Sequence, residues 1–302
     1  MQDEISFELP FEEQRLRQEA ETPAAIEFDS ADLPRTLFQI DRFQPFCFAY
    51  PDPEICDESP AQLLTQLQWM PDSAKRAAAI LVDYADEDQL KGRLLGGLSS
   101  SGAEAIARIM AILLCAEESA INVFTHEGKR LEEKQMQASR QAMMEIASEE
   151  RVHNWLLQKA RTMFPVTEDM ASIRRRTRRL FMRVASRDLA THFARISGLD
   201  SGVCICLTAL LGSELVTRVE GVAQLFRHIR RDESTHVKKS RAHALDLGFP
   251  SSLYHEAYEL TRSGMVGMLT PIAESFEIMG VDPDRLFKRL VRYSLGKTVE
   301  TA

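Results

Sequence analysis

The sequence predicts an all-α protein: a four-helix bundle with accessory helices at both ends. Three observations carry this. Alanine, leucine, glutamate and arginine, which favour helix, are common, whereas glycine and proline are sparse. Apolar residues recur at three- and four-residue intervals over long stretches. One pattern is also written twice, a carboxylate followed 33 residues later by the glutamate of a Glu-x-x-His: Glu117 with Glu150 and His153, then Asp200 with Glu233 and His236.

The spacing has a physical meaning. Residues three apart share a helix face, so each glutamate and its histidine can address one point. A span of 33 residues holds two half-helices and a turn, each helix rising about 1.5 Å per residue, so the chain leaves and returns at one depth. Four helices then offer four carboxylates and two imidazoles, the ligand set of a two-metal site in a bundle core. Oxygen and imidazole donors without thiolate suit iron, with manganese as the alternative. Glu149 and Asp232 each precede a ligand glutamate and are expected to hold the histidines crosswise, Asp232 on His153 and Glu149 on His236.

Composition sets bounds. The apolar share of 44% supports a sizeable core. The net charge of −8 gives no global reason to expect nucleic acid or a membrane surface. Met1-Gln2-Asp3-Glu4 lacks the basic and apolar regions of a signal peptide, and no apolar run is expected to span a bilayer. Five cysteines lie scattered without metal-type spacing, Cys204 and Cys206 reading as small buried hydrophobes. A reducing cytoplasm is the expected compartment.

In order along the chain, residues 1–60 form an irregular N-terminal arm, since seven prolines from Pro10 to Pro60 break any long helix. Residues 61–302 form one helical domain. Ser59-Pro60 starts a helix, Ser73 to about Ala85 is a second, and Gln89 to Leu98 a third, short one. The bundle proper occupies about 101–248. Its first helix runs from Ser101 to Thr125, with Met110, Leu113, Glu117, Ile121 and Phe124 along one face. Glu117 sits centrally in that stripe and is preferred to Glu118 at its edge. His126-Glu127-Gly128-Lys129 is expected to turn into a helix from Leu131 to Met163, which carries Met143, Ile146, Glu150, His153 and Leu157 on one face.

The arginine run at 174–179 opens the third bundle helix, which continues past Leu189. Such a run is usually a solvated face; the functional alternative is a dock for a carrier protein or RNA. Ser197 to Gly202 could form a loop with Asp200 as a cap. Asp200 is nevertheless preferred to Glu214, which lies only 19 residues before Glu233, short for a hairpin that must bring both carboxylates level. A fourth helix from about Val222 to Leu247 ends at Gly248 and Pro250. Beyond Ser252, Gly264, Gly267, Pro271 and Gly280 interrupt another helix. The amphipathic stretch Asp284–Leu295 packs on the bundle or makes a homodimer contact.

Glu117, Glu150-x-x-His153, Asp200 and Glu233-x-x-His236 resemble the ligands of the ferritin-like di-iron carboxylate proteins. The segment from Glu220 through Arg231-Asp232-Glu233 to His236 resembles the second metal helix of ribonucleotide reductase small subunits. Leu157 occupies the place of their radical tyrosine, which argues against a tyrosyl-radical role. In size, in its Asp-Glu-x-x-His and in lacking that tyrosine, the chain is similar to the arylamine N-oxygenases. That family has a further histidine ligand four residues before the second glutamate; here that position is Ile229, with His228 beside it.

The resemblance implies a non-haem di-iron oxygenase, with two iron ions, O2, an electron donor and a small organic substrate oxidised at an amine nitrogen or hydroxylated at carbon. The alternatives are a di-iron tRNA hydroxylase, motivated by the arginine run, and a non-catalytic ferritin-like metal-binding protein.

Overall fold

The computed structural model describes residues 59–68, 70–84, 87–166 and 170–292. The expected N-terminal arm, and the chain beyond Arg292, lie outside the described residues. Every regular element among the described residues is a helix.

Three accessory helices come first: α1 (Pro60–Gln66), α2 (Pro71–Asp83) and α3 (Glu87–Leu95). Ser59 caps α1 as its sequence suggests: its hydroxyl accepts from the Gln62 amide, and the Gln62 side chain returns to the Ser59 amide. Ala77, Ile80, Leu81 and Tyr84 of α2 are buried on one face.

The core is made of two helix pairs, α4 (Ser100–Glu133) along α5 (Gln137–Arg161), and α7 (Leu189–Leu211) along α9 (Glu220–Asp246). Between the pairs in sequence lies α6 (Met170–Val184), and the short α8 (Glu214–Arg218) links α7 to α9. After α9, α10 (Tyr254–Leu269) packs on α7 and α6, and α11 (Ala273–Ile278) and α12 (Pro283–Val291) complete the unit. Met110, Met143, Ile146, Phe193, Phe226 and Ile229 are fully enclosed. Each such side chain stabilises the fold by about 1.5–3 kcal/mol through burial alone.

Four sequence expectations need correction. Residues 126–129 are not a turn: α4 continues to Glu133. Gly128 provides space there, because a Cβ would press on the Met144 sulfur of α5 at 3.0 Å. The chain reverses instead at Gln135, whose φ of 61° is left-handed, and the Met136 amide bonds back to the Leu131 carbonyl. The expected third bundle helix is two helices, α6 and α7, parted before Asp188, whose carboxylate caps α7 by accepting from the Thr191 amide at 2.8 Å.

Residues 197–202 are mid-helix, so the capping-loop alternative falls and Asp200 stands on a helix, in line with the preference from sequence. Gly198 and Gly202 leave room for α10: a Cβ on Gly198 would lie 3.1 Å from the Tyr258 Cα, and one on Gly202 would collide with Met265. Finally, α10 passes through Gly264 and Gly267 without a break. One helix, α7, is long and apolar enough by length and composition to cross a membrane, contrary to the expectation from sequence. More than half of its apolar window is buried within the protein's own interior, where it carries Asp200.

Candidate metal centre

The two core pairs carry the six expected side chains, and Glu117, Glu150, Asp200 and Glu233 line one cavity. Glu117 comes from α4, Glu150 and His153 from α5, Asp200 from α7, and Glu233 and His236 from α9. All six are buried. One ligand atom each from Glu117, Glu150, His153 and Glu233 lies within 4.8 Å of the others, a grouping that could hold a metal ion.

Glu150 stands between the two imidazoles. Its Oε2 is 3.3 Å from His153 Nδ1 and its Oε1 is 3.1 Å from His236 Nδ1. Glu117 Oε2 lies 3.5 Å from His153 Nδ1, and Glu233 Oε2 lies 4.0 Å from His236 Nδ1. Both histidines therefore turn Nδ1 inward. Their outer nitrogens are held crosswise: His153 Nε2 lies 3.2 Å from Asp232 Oδ2, and His236 Nε2 lies 2.9 Å from Glu149 Oε2. A carboxylate can only accept, so each Nε2 carries the proton and each Nδ1 is left to face the centre.

The rival carboxylates sit elsewhere. Glu118 pairs with Arg174 at 3.4 Å, and Glu214 is an exposed partner of Arg218. Within the arginine run, Arg174 is therefore engaged by Glu118, and Arg176 bonds the Ser172 hydroxyl at 2.9 Å. His228 lies outside the ring of inner carboxylates, with Nε2 3.6 Å from Asp232 and its ring edge-on to His153. His153, His228 and Asp232 also have ligand-like spacing. The Arg76 guanidinium, 3.0 Å from Asp232, opposes a cation there. Burial, with His153 beside it, pushes His228 down to about 4 and keeps it neutral.

The electrostatics of the inner group ask for a cation. Burial raises the Glu117, Asp200 and Glu233 carboxyls well above the ordinary range, and neighbouring carboxylates, Glu150 among them, raise them further. Burial pushes Glu150 the same way, but its hydrogen bond with Glu117 and the two imidazoles outweigh that and hold it well below. Burial opposes charge on His153 and His236, yet the surrounding carboxylates lift both well above the usual imidazole range.

Glu117 Oε2, Asp200 Oδ2 and His236 Nδ1 are buried without a hydrogen bond. Such groups cost a few kcal/mol each when nothing compensates them. Divalent ions in this ring of oxygen and nitrogen donors would satisfy all three, so the residues present fit metals of that class.

A narrow cavity of about 30 Å³ reaches the inner carboxylates, space for one or two waters. Its walls are apolar and include Ala116 and Ala120 of α4, Leu180 and Phe181 of α6, and Met265 and Met268 of α10. Phe124, expected to be core, also lines it, whereas Met110 and Met143 are core.

No protein family, curated protein or solved structure matches this chain.

Two features escaped the reading of sequence. Ser73 and Arg76 of α2 touch the outer carboxylates: Ser73 Oγ donates to Glu149 Oε1 at 2.6 Å, and Arg76 Nη2 donates to Asp232 Oδ1. Nothing local marks them, since their partners lie 76 and 156 positions away. The other is Glu127, fully buried, which takes Arg130 at 2.8 Å and faces His192 Nδ1 at 3.0 Å. Arg130 also reaches the carbonyls of Ser186 and Arg187, tying α4 to the α6–α7 link.

Proposed function

We propose that this protein is a ferritin-like, non-haem di-iron oxygenase whose core pairs α4–α5 and α7–α9 form the four-helix bundle. The observation that carries this reading is the arrangement around Glu150, with one imidazole Nδ1 at each of its oxygens and the outer nitrogens locked by Asp232 and Glu149. A group that faces two sites at once is what a carboxylate shared between two ions requires.

Glu117, Glu150, His153, Asp200, Glu233 and His236 would hold the two ions. Iron fits the donor set, and manganese is the alternative. A reduced metal pair supplies the activation of O2; an electron donor must supply the reducing equivalents.

The chain's own residues do the rest. Asp232 and Glu149 keep the imidazoles in one tautomer and orientation. The four inner carboxylates balance the charge of the ions. The apolar walls would exclude bulk water, and they would have to part to admit a small organic substrate, oxidised at an amine nitrogen or at carbon. Apart from the inner carboxylates, the described residues that line the cavity carry no charge, which favours a neutral substrate over an ionised one. A cytoplasmic setting, with its supply of reductant, suits this chemistry.

Anaerobic reconstitution with Fe(II), followed by admission of O2, tests the reading. Two irons per chain, and O2 uptake accelerated by a neutral arylamine or hydrocarbon, are expected. Less than one iron per chain would remove the basis for any di-iron chemistry.

A further inference from the structure

We propose that Ser73 and Arg76 of α2 are positioning residues for the two inward-facing imidazoles, so that docking of α2 and metal occupancy favour each other. This rests on the metal-centre reading above.

The observation is one connected set of hydrogen bonds. Arg76 Nη2 donates to Asp232 Oδ1 at 3.0 Å and to Ser73 Oγ at 3.1 Å. Ser73 Oγ in turn donates to Glu149 Oε1 at 2.6 Å. The second oxygen of each carboxylate takes an imidazole, Asp232 Oδ2 from His153 and Glu149 Oε2 from His236. A single guanidinium on α2 thus reaches both histidines, each through one carboxylate.

The directions leave no freedom. Arg76 can only donate, the carboxylates can only accept, and the hydroxyl must accept from one side and donate to the other. Both Nε2 atoms are therefore donors, and both Nδ1 atoms face the centre, where a bound metal would take their lone pairs in place of a proton. Without the α2 end, each carboxylate could rotate, and its imidazole would lose the orientation that the centre needs.

The geometry also links the site to the surface. Asp232 and Glu149 are buried, whereas the Arg76 side chain is 26% exposed. The rest of α2 is anchored by Ala77, Ile80, Leu81 and Tyr84. Removing the Ser73 hydroxyl should therefore leave the helix in place and loosen only the network.

If metal binding prefers the docked helix, linkage requires that metal stabilise docking by the same factor. The test is Mn(II) titration followed by electron paramagnetic resonance on wild type, Ser73→Ala, Arg76→Ala and Ser73→Thr. Hydrogen exchange of residues 71–83 with and without Mn(II) accompanies it, and circular dichroism confirms folding.

Ser73→Ala and Arg76→Ala are expected to weaken Mn(II) binding about 10–100-fold, the usual cost of losing a group that orients a ligand. They should also alter the bound-metal spectrum, with Ser73→Thr close to wild type. Mn(II) should slow exchange across 71–83 in wild type and lose that effect in Ser73→Ala. Folded variants with wild-type affinity, spectrum and exchange would overturn the positioning role while leaving the metal centre standing. Wild type that binds no Mn(II) or Fe(II) would overturn the metal centre, and this proposal with it. Should Arg76→Ala not fold, Ser73→Ala and Arg76→Lys decide the outcome by the same readouts.

Discussion

The rings of His153 and His236 lie with centroids 6.2 Å apart in the interior, although 83 residues separate them in the chain. Neither ring is exposed to solvent. Two neutral histidines would gain little from this proximity, and two charged ones would repel. The arrangement makes sense because Glu150 sits between them, with Glu117, Asp200 and Glu233 around it.

Glu150→Gln should therefore damage the site more than any neighbouring change. Metal content after reconstitution, measured by mass spectrometry, is expected to fall from two ions per chain to below one. Glu118→Gln and Glu214→Gln should keep the full complement, because Glu118 is committed to Arg174 and Glu214 is exposed.

The close approach of α7 and α10 predicts opposite effects at two glycines. Gly198→Ala should cost about 1–3 kcal/mol of stability, since the new methyl meets the Tyr258 backbone and the Thr261 hydroxyl. Gly267→Ala should stabilise by up to about 1 kcal/mol, because it lies within α10, is exposed and has nothing near its Cβ position. Denaturant melts would resolve both signs.

What sequence revealed, and what it did not, follows from the range of the interactions. The all-helical class and the co-location of Glu117, Glu150, His153, Asp200, Glu233 and His236 were legible because helix periodicity and hairpin length are local quantities. Helix ends were less so: Gly128 looked like a stop but serves packing against Met144, and the true reversal uses Gln135, which carries no glycine signature. Ser73, Arg76 and the cavity walls from α6 and α10 were invisible, since each depends on how distant helices dock.

Glu127 predicts a pH dependence. Burial pushes its carboxyl up, but His126, His192 and Arg130 outweigh burial and hold it well below the ordinary carboxylate range. A folded value below the unfolded one, about 4.3, means that the unfolded chain takes the proton first as pH falls. The stabilisation is thus complete above about pH 5 and declines progressively at lower pH. Urea melts of wild type and Glu127→Gln should differ by a few kcal/mol at pH 7, with the gap narrowing steadily below pH 5.

Filling the cavity should separate metal binding from substrate binding. Ala120→Val adds two methyl groups, enough to occupy the small cavity between the apolar walls and the inner carboxylates. Two metal ions should still bind, while the stimulation of O2 uptake by a neutral organic substrate should fall at least about tenfold, the cost of losing roughly 1.4 kcal/mol of binding. Uptake assays alongside metal analysis would show the split.

Diffraction from iron-loaded crystals at the iron absorption edge addresses the centre itself. Two anomalous peaks are expected between His153 and His236, each next to an imidazole Nδ1, with Glu150 reaching both. A map with no peak there, or with peaks only at surface carboxylates, would contradict the two-metal assignment.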